Sequence, residues 1–277
     1  ENGCYSPVPR APGLVIAWSA YLVVGASAGL LAGLFGVGGG AIIVPILIVL
    51  FRLQGFGEEG LVHLALGTSF ATIIVTSMSA TLAHHRRANI DWPIVVAMMP
   101  GLVLGVAVCS MLASRLAGST LQLAIGLFLF FVGIQMFFGW RPAARFGVPS
   151  RRGLAGAGIV VGGVSAFFGI GGGSLTVPFL SACRVPMLRA VACSSACGLP
   201  IAVVGTLSYA LLGAGSQIEL PPAATGYLYW PAFLGIVLAS MPCAKLGARV
   251  ASHLPEKHLK KSFSILLLLV AVGFFSG

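Results

Sequence analysis

Short polar loops divide the chain into ten apolar segments, and this pattern restricts its fold more than any other feature of the sequence. Most segments approach the roughly 20 apolar residues that a helix needs to cross a bilayer. Only 8% of the residues are charged, whereas a soluble domain carries about 25%. The sequence therefore predicts an all-α polytopic membrane protein and excludes a soluble globular domain. The predicted segments are 14–35, 41–53, 61–83, 93–114, 119–139, 153–170, 174–184, 187–213, 227–250 and 256–275.

The two halves of the chain are related by an internal duplication. Residues 29–45 read GLLAGLFGVGGGAIIVP and residues 162–178 read GGVSAFFGIGGGSLTVP, so eight of 17 positions are identical at an offset of 133. Two further pairs keep the same order: Thr68-Ser69 with Ser194-Ser195 at an offset of 126, and Trp92-Pro93 with Trp230-Pro231 at 138. Such self-similarity indicates two copies of one structural unit. We therefore predict an N-terminal tail (1–12), transmembrane repeat 1 (13–140), a cytoplasmic linker (141–152) and transmembrane repeat 2 (153–277).

The second segment of each half is too short to span a bilayer comfortably. Segments 41–53 and 174–184 each follow a glycine cluster, at 36–40 and 169–173. We predict that each half contains a broken or re-entrant helical pair hinged at its glycine cluster, because glycine supplies the dihedral freedom at which a helix breaks.

The loop charges predict the orientation. Thirteen of the 16 basic residues lie in the loops 84–92, 140–153, 184–189 and 245–261, and basic loops favour the cytoplasmic side. All four loops can be cytoplasmic together only if each glycine-hinged pair enters and leaves on the same side. The two five-segment repeats are then inverted, and both termini are periplasmic. Inverted repeats with broken helices at the midplane are an architecture of secondary transporters.

The glycine hinges are the strongest candidate for a functional site. Irregular backbone inside a bilayer is tolerated only where protein buries it or where it lines a cavity. The helices that begin at about Ala41 and Ser174 present free N–H groups and a partial positive charge at their first turns. Two such helix starts, brought together at the midplane, would bind an anion. The alternative is that the glycines only permit close helix packing.

Hydroxyl pairs at equivalent positions extend this candidate site. Thr68-Ser69 and Ser194-Ser195 can donate hydrogen bonds to an anion, and Ser165 and Thr176 add hydroxyls near the second hinge. The alternative is that each hydroxyl bonds back to a carbonyl of its own helix. The predicted substrate-binding residues are Gly36, Gly38, Gly39, Gly40, Ala41, Thr68, Ser69, Gly169, Gly171, Gly172, Gly173, Ser174, Ser194 and Ser195.

Several other chemistries are disfavoured. No Asp or Glu falls inside a predicted span, which argues against a carboxylate-coupled pump and against a paired-carboxylate hydrolase. No histidine or carboxylate neighbours Cys193 and Cys197, so we predict neither a metal nor another cofactor. His63 remains a titratable candidate, whereas His84 and His85 fit an interfacial basic loop. Arg189 could guide an anion from the cytoplasm or extend to the membrane interface.

Three motifs make the chain similar to the TauE/SafE family of bacterial membrane permeases. They are the paired hinges GLFGVGGGAIIVP and AFFGIGGGSLTVP, the ALGTSFAT stretch at 65–72 and the NIDWP turn at 89–93. The resemblance covers nearly the whole chain. It implies a duplicated fold that moves sulfite, or organosulfonates such as sulfoacetate, across the bacterial inner membrane, often outward.

The predicted function is therefore export of a small sulfur-containing anion, bound near the midplane between two glycine-hinged helix N-termini, with no enzymatic activity. Two alternatives stay open: an anion channel without alternating access, and an intramembrane redox protein that uses Cys193 and Cys197. The predicted partners are the anionic substrate and the lipid bilayer. We expect no nucleic acid as a partner, because the net charge of +10 follows from the cytoplasmic loops.

Overall fold

A computed structural model describes residues 14–35, 40–138, 147–218, 220–251, 264–265, 268–269 and 271–273. Most of these residues are helical, and a few form a two-stranded antiparallel hairpin. In chain order the elements are α1 (Leu14–Phe35), α2 (Gly40–Leu53), α3 (Glu58–Arg86), α4 (Trp92–Ala113), α5 (Gly118–Phe137), α6 (Arg151–Phe168), α7 (Gly173–Ala182), α8 (Met187–Ala214), β1 (Ala224–Thr225), β2 (Leu228–Tyr229) and α9 (Trp230–Ala251).

The helices confirm the prediction of an all-α polytopic membrane protein. Among the described residues, four helical segments are long and apolar enough to cross a bilayer: Glu58–Arg86, Trp92–Ala113, Gly118–Gln135 and Met187–Ala214. Shorter apolar helices cover Trp18–Leu30, Gly40–Leu53 and Trp230–Cys243. The first nine predicted segments each coincide with a helix to within about three residues at either end, which is the ordinary uncertainty of helix ends predicted from a sequence.

The hairpin of β1 and β2 is a feature that the sequence analysis does not predict. Each strand has two residues, too few to show an alternating pattern of polar and apolar side chains. Gly226 makes the turn possible with φ of 55°, a conformation that favours glycine.

α3 is the central helix of the bundle. In the most apolar stretch of 18 residues in α3, 78% of the residues are buried, compared with 56% in α8, 44% in α4 and 33% in α5. α3 packs along α8 through the stacked rings of Phe70 and Tyr209, whose centroids are 5.9 Å apart. Most of α3 is therefore inside protein rather than in contact with lipid.

The first half of α1 and the C-terminal end of α2 lie on the same side of the bundle. The Tyr21 hydroxyl, in the first half of α1, donates a hydrogen bond to Gln54 Oε1 at 2.6 Å. Gln54 follows directly after α2. α2 thus returns toward the end of the bundle at which α1 begins.

Two pairs of helices pack closely through glycine. α1 contacts α9 through Gly25 and Gly29, where an added Cβ would collide with the backbone of Ile236 and Ser240. α6 contacts α4 through Gly158 and Gly162, where an added Cβ would collide with the backbone of Met98 and Leu102. The glycines of the second pair stand 133 residues after those of the first. The residues that these glycines contact in α9 stand 138 residues after those contacted in α4. Both contacts therefore follow the offsets of the sequence duplication.

Candidate functional site

The second glycine hinge is a sharp reversal between α6 and α7. Gly169 and Gly172 both adopt the left-handed region, with φ of 63° and 71°, which side chains with a Cβ rarely adopt. The N–H groups of Gly169 and Ile170 donate to the Ser165 carbonyl, which closes α6. The N–H groups of Leu175 and Thr176 donate to the Gly172 carbonyl, which opens α7.

α7 begins at Gly173 with an ordinary helix N-terminus. The N–H groups of Gly173 and Ser174 lie in its first turn, so they have no carbonyl acceptor within the helix. Residues 169–173 are buried. A partial positive charge is therefore held inside the protein at this point.

The start of α2 lies against this hinge. Gly36, Gly38 and Gly39, which the sequence predicts as part of the site, lie outside the described residues. Gly40 and the buried Ala41 open α2. A Cβ on Gly40 would lie 2.8 Å from the Gly169 carbonyl oxygen and 3.2 Å from Ile170 Cα. The described part of the first glycine cluster is thus in direct contact with the second.

The predicted hydroxyl pairs separate into different environments. Ser69 Oγ donates to the Gly169 carbonyl at 3.0 Å and joins the hinge. Thr68 Oγ1 donates to the Leu64 carbonyl at 2.7 Å and accepts from the Tyr229 N–H at 3.0 Å, so it fixes β2 to α3. Ser195 Oγ donates back to the Val191 carbonyl at 3.0 Å. Ser194 is 2% exposed, and its hydroxyl has no hydrogen-bond partner among the described residues.

Three buried hydroxyls without a partner in the described part of the chain flank the second hinge: Ser165, Thr176 and Ser194. The Thr176 hydroxyl oxygen lies 3.4 Å from the Cβ position of Gly172. Val161, one turn before Ser165 and on the same face of α6, lies 4.0 Å from that position.

Ser194 reaches the same region from α8. It shares a helix face with Gly198 and Ile201, which follow it by four and seven residues. A Cβ on Gly198 would lie 2.8 Å from the Gly171 carbonyl oxygen, and Ile201 Cδ1 lies 2.7 Å from the Cβ position of Gly172. Three elements, α6, α7 and α8, therefore bring unpaired hydroxyls toward one irregular segment.

The hinge is closely packed in this conformation. A Cβ on Gly171 would lie 2.6 Å from Ile73 Cγ2, and one on Gly169 would lie 2.7 Å from Val44 Cγ2. Close packing therefore accounts for Gly40, Gly169 and Gly171. It does not account for three buried hydroxyls that no described atom satisfies, because leaving such a group unpaired costs about 1–3 kcal/mol.

Other polar residues of the helices have local roles. Thr72 and Thr76 on α3 bond back to carbonyls of their own helix, as polar side chains in membrane helices often do. The thiol of Cys193 accepts from the Asp91 N–H at 3.2 Å, and so holds the loop before α4. Within the part of the chain that the structure describes, no three His, Cys, Asp or Glu side chains group in a way that could hold a metal ion.

A large cavity that the sequence analysis does not predict opens where α2, α3 and α5 meet. We call it the first-half cavity; its volume is about 1010 Å³. Arg52 forms an ion pair with Glu58 at 2.9 Å and donates to Gln122 Oε1 at 3.1 Å. The remaining polar side chains of its lining come from Glu59, His63, Ser114, Ser119 and Tyr227. No single motif marks this cavity, because its lining combines residues of α2, α3 and α5 with residues of the loops before α5 and α9.

A smaller cavity of about 250 Å³ lies where the loop between α3 and α4 meets the start of α8. We call it the second-half cavity. Asp91 and Arg189 contribute the charged groups of its lining, beside Ala88, Ile90, Trp92 and Pro93.

Comparison with known proteins identifies the family of the chain. The sequence profile described as "Sulfite exporter TauE/SafE" matches residues 21–274. A "Probable membrane transporter protein" of Haemophilus influenzae is 36% identical over 256 residues, which cover 92% of this chain and 96% of the relative. Proteins with the same description from Methanocaldococcus jannaschii and Bacillus subtilis (YunE) are 27% and 26% identical, and each alignment covers about nine tenths of both chains. No solved structure matches the chain at a significant level.

The profile extends over nearly the whole chain and includes both glycine clusters, all four candidate spans and the hairpin. The chain is therefore a multi-pass membrane transporter rather than an enzyme, and it belongs to the TauE/SafE sulfite exporter family.

Proposed function

We propose that this transporter moves a small sulfur oxyanion, such as sulfite or an organosulfonate, out across a bacterial inner membrane. The anion binds at the second hinge, between the N-terminus of α7 and the facing sides of α3, α6 and α8. The family description and the site chemistry both favour a small anion, because the hinge offers hydrogen-bond donors and no carboxylate.

The observation that carries this proposal is the convergence of unpaired hydroxyls on the hinge. Ser165, Thr176 and Ser194 are each at most 2% exposed, and none has a hydrogen-bond partner within the described residues. A hydroxyl in such a place is satisfied when an acceptor enters. An oxyanion supplies several acceptor oxygens at once.

The backbone completes the shell. The N–H groups of Gly173 and Ser174 lie at the positive end of α7, and one helix N-terminus contributes up to about 2 kcal/mol to anion binding in a partly buried setting. Together with the hydroxyls this supports an affinity between micromolar and millimolar, about −4 to −8 kcal/mol.

Access to the site requires movement of α3 relative to the hinge. Ser69 bonds to the Gly169 carbonyl and Ile73 covers Gly171, so α3 closes the hinge in the conformation described. We infer that this is an occluded conformation of a carrier, and that separation of α3 from the hinge admits the anion.

We also infer that the two halves are inverted repeats, with both termini periplasmic. The matched contacts of Gly25 and Gly29 with α9, and of Gly158 and Gly162 with α4, support a twofold relation in which helices are exchanged between the halves. The Tyr21–Gln54 hydrogen bond supports entry and exit of α1 and α2 on one side.

A thermal-shift panel of detergent-purified protein tests the substrate class. We expect sulfite or a sulfonate such as sulfoacetate to raise the unfolding temperature, because a ligand at 100 times its dissociation constant stabilises the folded state by about 2.7 kcal/mol. Sulfate, thiosulfate and taurine complete the panel. A panel in which no sulfur oxyanion stabilises the protein would contradict the proposal.

A further inference from the structure

His63 occupies the position in the first half that Arg189 occupies in the second. The two residues are 126 apart, which is the offset that relates Thr68-Ser69 to Ser194-Ser195. His63 is the third residue after the kink at Glu59 and Gly60, where α3 becomes regular. Arg189 is likewise the third residue of α8.

The surroundings of these two residues also correspond. Ala88 and Gly226, in the loops that precede α4 and α9, are 138 residues apart and have φ of 52° and 55°. His63 lines the first-half cavity together with Tyr227, the residue after Gly226, and Arg189 lines the second-half cavity together with Ala88. Each cavity therefore presents a nitrogen-bearing side chain from the start of a central helix, one titratable and the other permanently charged.

Hydrogen bonding determines which nitrogen of His63 is available. Nε2 lies 3.1 Å from the Ala113 carbonyl oxygen. A carbonyl only accepts, so Nε2 carries the hydrogen of the neutral ring. Nδ1 is buried and has no partner among the described residues. A second proton on Nδ1 would create a buried donor that needs an acceptor.

The charges that face His63 determine how this second proton changes the net charge of the first-half cavity. The ring packs on Tyr227, with centroids 5.2 Å apart, and lies 6.5 Å from the ring of Tyr209. The charged residues of the cavity lining are Arg52, Glu58 and Glu59. Arg52 and Glu58 neutralise each other in an ion pair, which leaves the charge of Glu59. With neutral His63 the cavity is thus negative and disfavours anions; with protonated His63 its net charge is zero.

We propose that His63 makes the first-half cavity a proton-dependent subsite for a small monovalent oxyanion. Nδ1 is buried in the conformation described, so it takes a proton when movement of the cavity wall admits solvent to it; Nε2 keeps its hydrogen on the Ala113 carbonyl, and the new N–H donates to the anion. Each monoanion is then bound together with one proton. This inference rests on the proposed function, because the cavity lies on the route between the hinge and one side of the membrane: His63 precedes Ser69 by six residues, or about 9 Å along α3.

The test measures the pH dependence of anion binding by the full purified chain. The probe is methanesulfonate, whose own charge is constant between about pH 5 and 8. We expect its apparent dissociation constant, from thermal shifts, to rise about tenfold for each pH unit above the midpoint of the His63 titration, because the subsite does not bind when His63 is unprotonated, until only the weaker, pH-independent binding at the hinge remains.

Three variants identify the titrating group. H63Q retains an N–H donor for the Ala113 carbonyl but cannot be protonated, so it should bind weakly with no pH dependence. H63R places the arginine of the second half in the first-half cavity, so it should bind at every pH. H85Q is the matched control, because His85 is an exposed histidine at the other end of α3, and it should keep the wild-type profile.

The outcomes separate this inference from the proposed function. A pH profile that survives in H63Q, or a flat profile in the wild type, would overturn the role of His63 and leave the hinge site intact. Failure of the wild type to bind methanesulfonate, sulfite and sulfoacetate at every pH would overturn the proposed function.

Discussion

At the residue scale, neighbouring hydroxyls of one helix have different environments. Ser194 and Ser195 are adjacent on α8, yet only Ser195 satisfies its hydroxyl within the helix. Ser194 faces the hinge, whereas Ser195 is turned by about 100° around the helix axis. The sequence places both residues in the candidate site because a duplication aligns pairs of residues, not helix faces. Only the packing of α8 on α7 shows which of the two serines belongs to the site.

This difference predicts opposite effects on stability and binding for Ser194→Ala. Removal of an unsatisfied buried hydroxyl should leave thermal stability unchanged or raise it, because no internal hydrogen bond is lost. Anion affinity should fall roughly tenfold to a hundredfold, since a hydrogen bond to a charged group contributes about 1.5–3 kcal/mol. Thermal shifts with and without sulfite measure both quantities.

Ser195→Ala is the control for this prediction. Its hydroxyl bonds to the Val191 carbonyl, so affinity should stay within about twofold of the wild type. Equal loss of affinity in the two variants would contradict the assignment of Ser194 to the site.

At the element scale, most of the fold could be predicted from the sequence because a bilayer restricts the choice to apolar helices. The predicted breaks at 36–40 and 169–173 precede helices that start at Gly40 and Gly173. The first-half cavity could not be predicted, because Arg52, His63 and Gln122 are far apart in sequence and carry no common motif. The contact of Gly40 with Gly169 depends equally on packing that periodicity does not encode.

The hinge predicts a sensitive position at Gly172. In Gly172→Ala the alanine would have to adopt a left-handed backbone conformation, which costs about 1–2 kcal/mol. Its Cβ would also lie 2.7 Å from Ile201 Cδ1. We expect lower thermal stability and strongly reduced flux in liposomes.

Gly156→Ala provides the comparison. Gly156 lies within α6, one of the two helices that the second hinge joins, and its Cβ position has no atom within 4 Å. Alanine there should preserve flux and leave stability unchanged or slightly raised, because glycine inside a helix is destabilising by about 0.5–1 kcal/mol relative to alanine. Similar behaviour of the two variants would show that the hinge conformation is unimportant.

At the scale of the whole molecule, the two halves exchange helices. α1 of the first half packs on α9 of the second, and α6 of the second packs on α4 of the first. An arrangement of this kind gives two matched ends, each with its own cavity. We infer that the first-half cavity faces the periplasm and the second-half cavity faces the cytoplasm.

Labelling of introduced cysteines tests this orientation in a variant that lacks the native cysteines. Ser119→Cys, at the first-half cavity, should react with a membrane-impermeant maleimide in intact cells whose outer membrane has been permeabilised. Arg87→Cys, in the loop between α3 and α4, should react only after the inner membrane is also opened. Both native residues are exposed. Reaction of both cysteines from the same side, or the reverse pattern, would contradict this orientation, because Ser119 and Arg87 lie at opposite ends of α4.

The most direct measurement of the central proposal is sulfite flux in liposomes for two matched double variants. Thr176→Val with Ser194→Ala removes hydroxyls that have no partner among the described residues. Thr72→Val with Ser195→Ala removes hydroxyls that bond to their own helices. We predict that the first pair reduces flux at least tenfold at equal protein content and that the second keeps wild-type flux. Equal flux in both double variants would contradict anion binding at the second hinge.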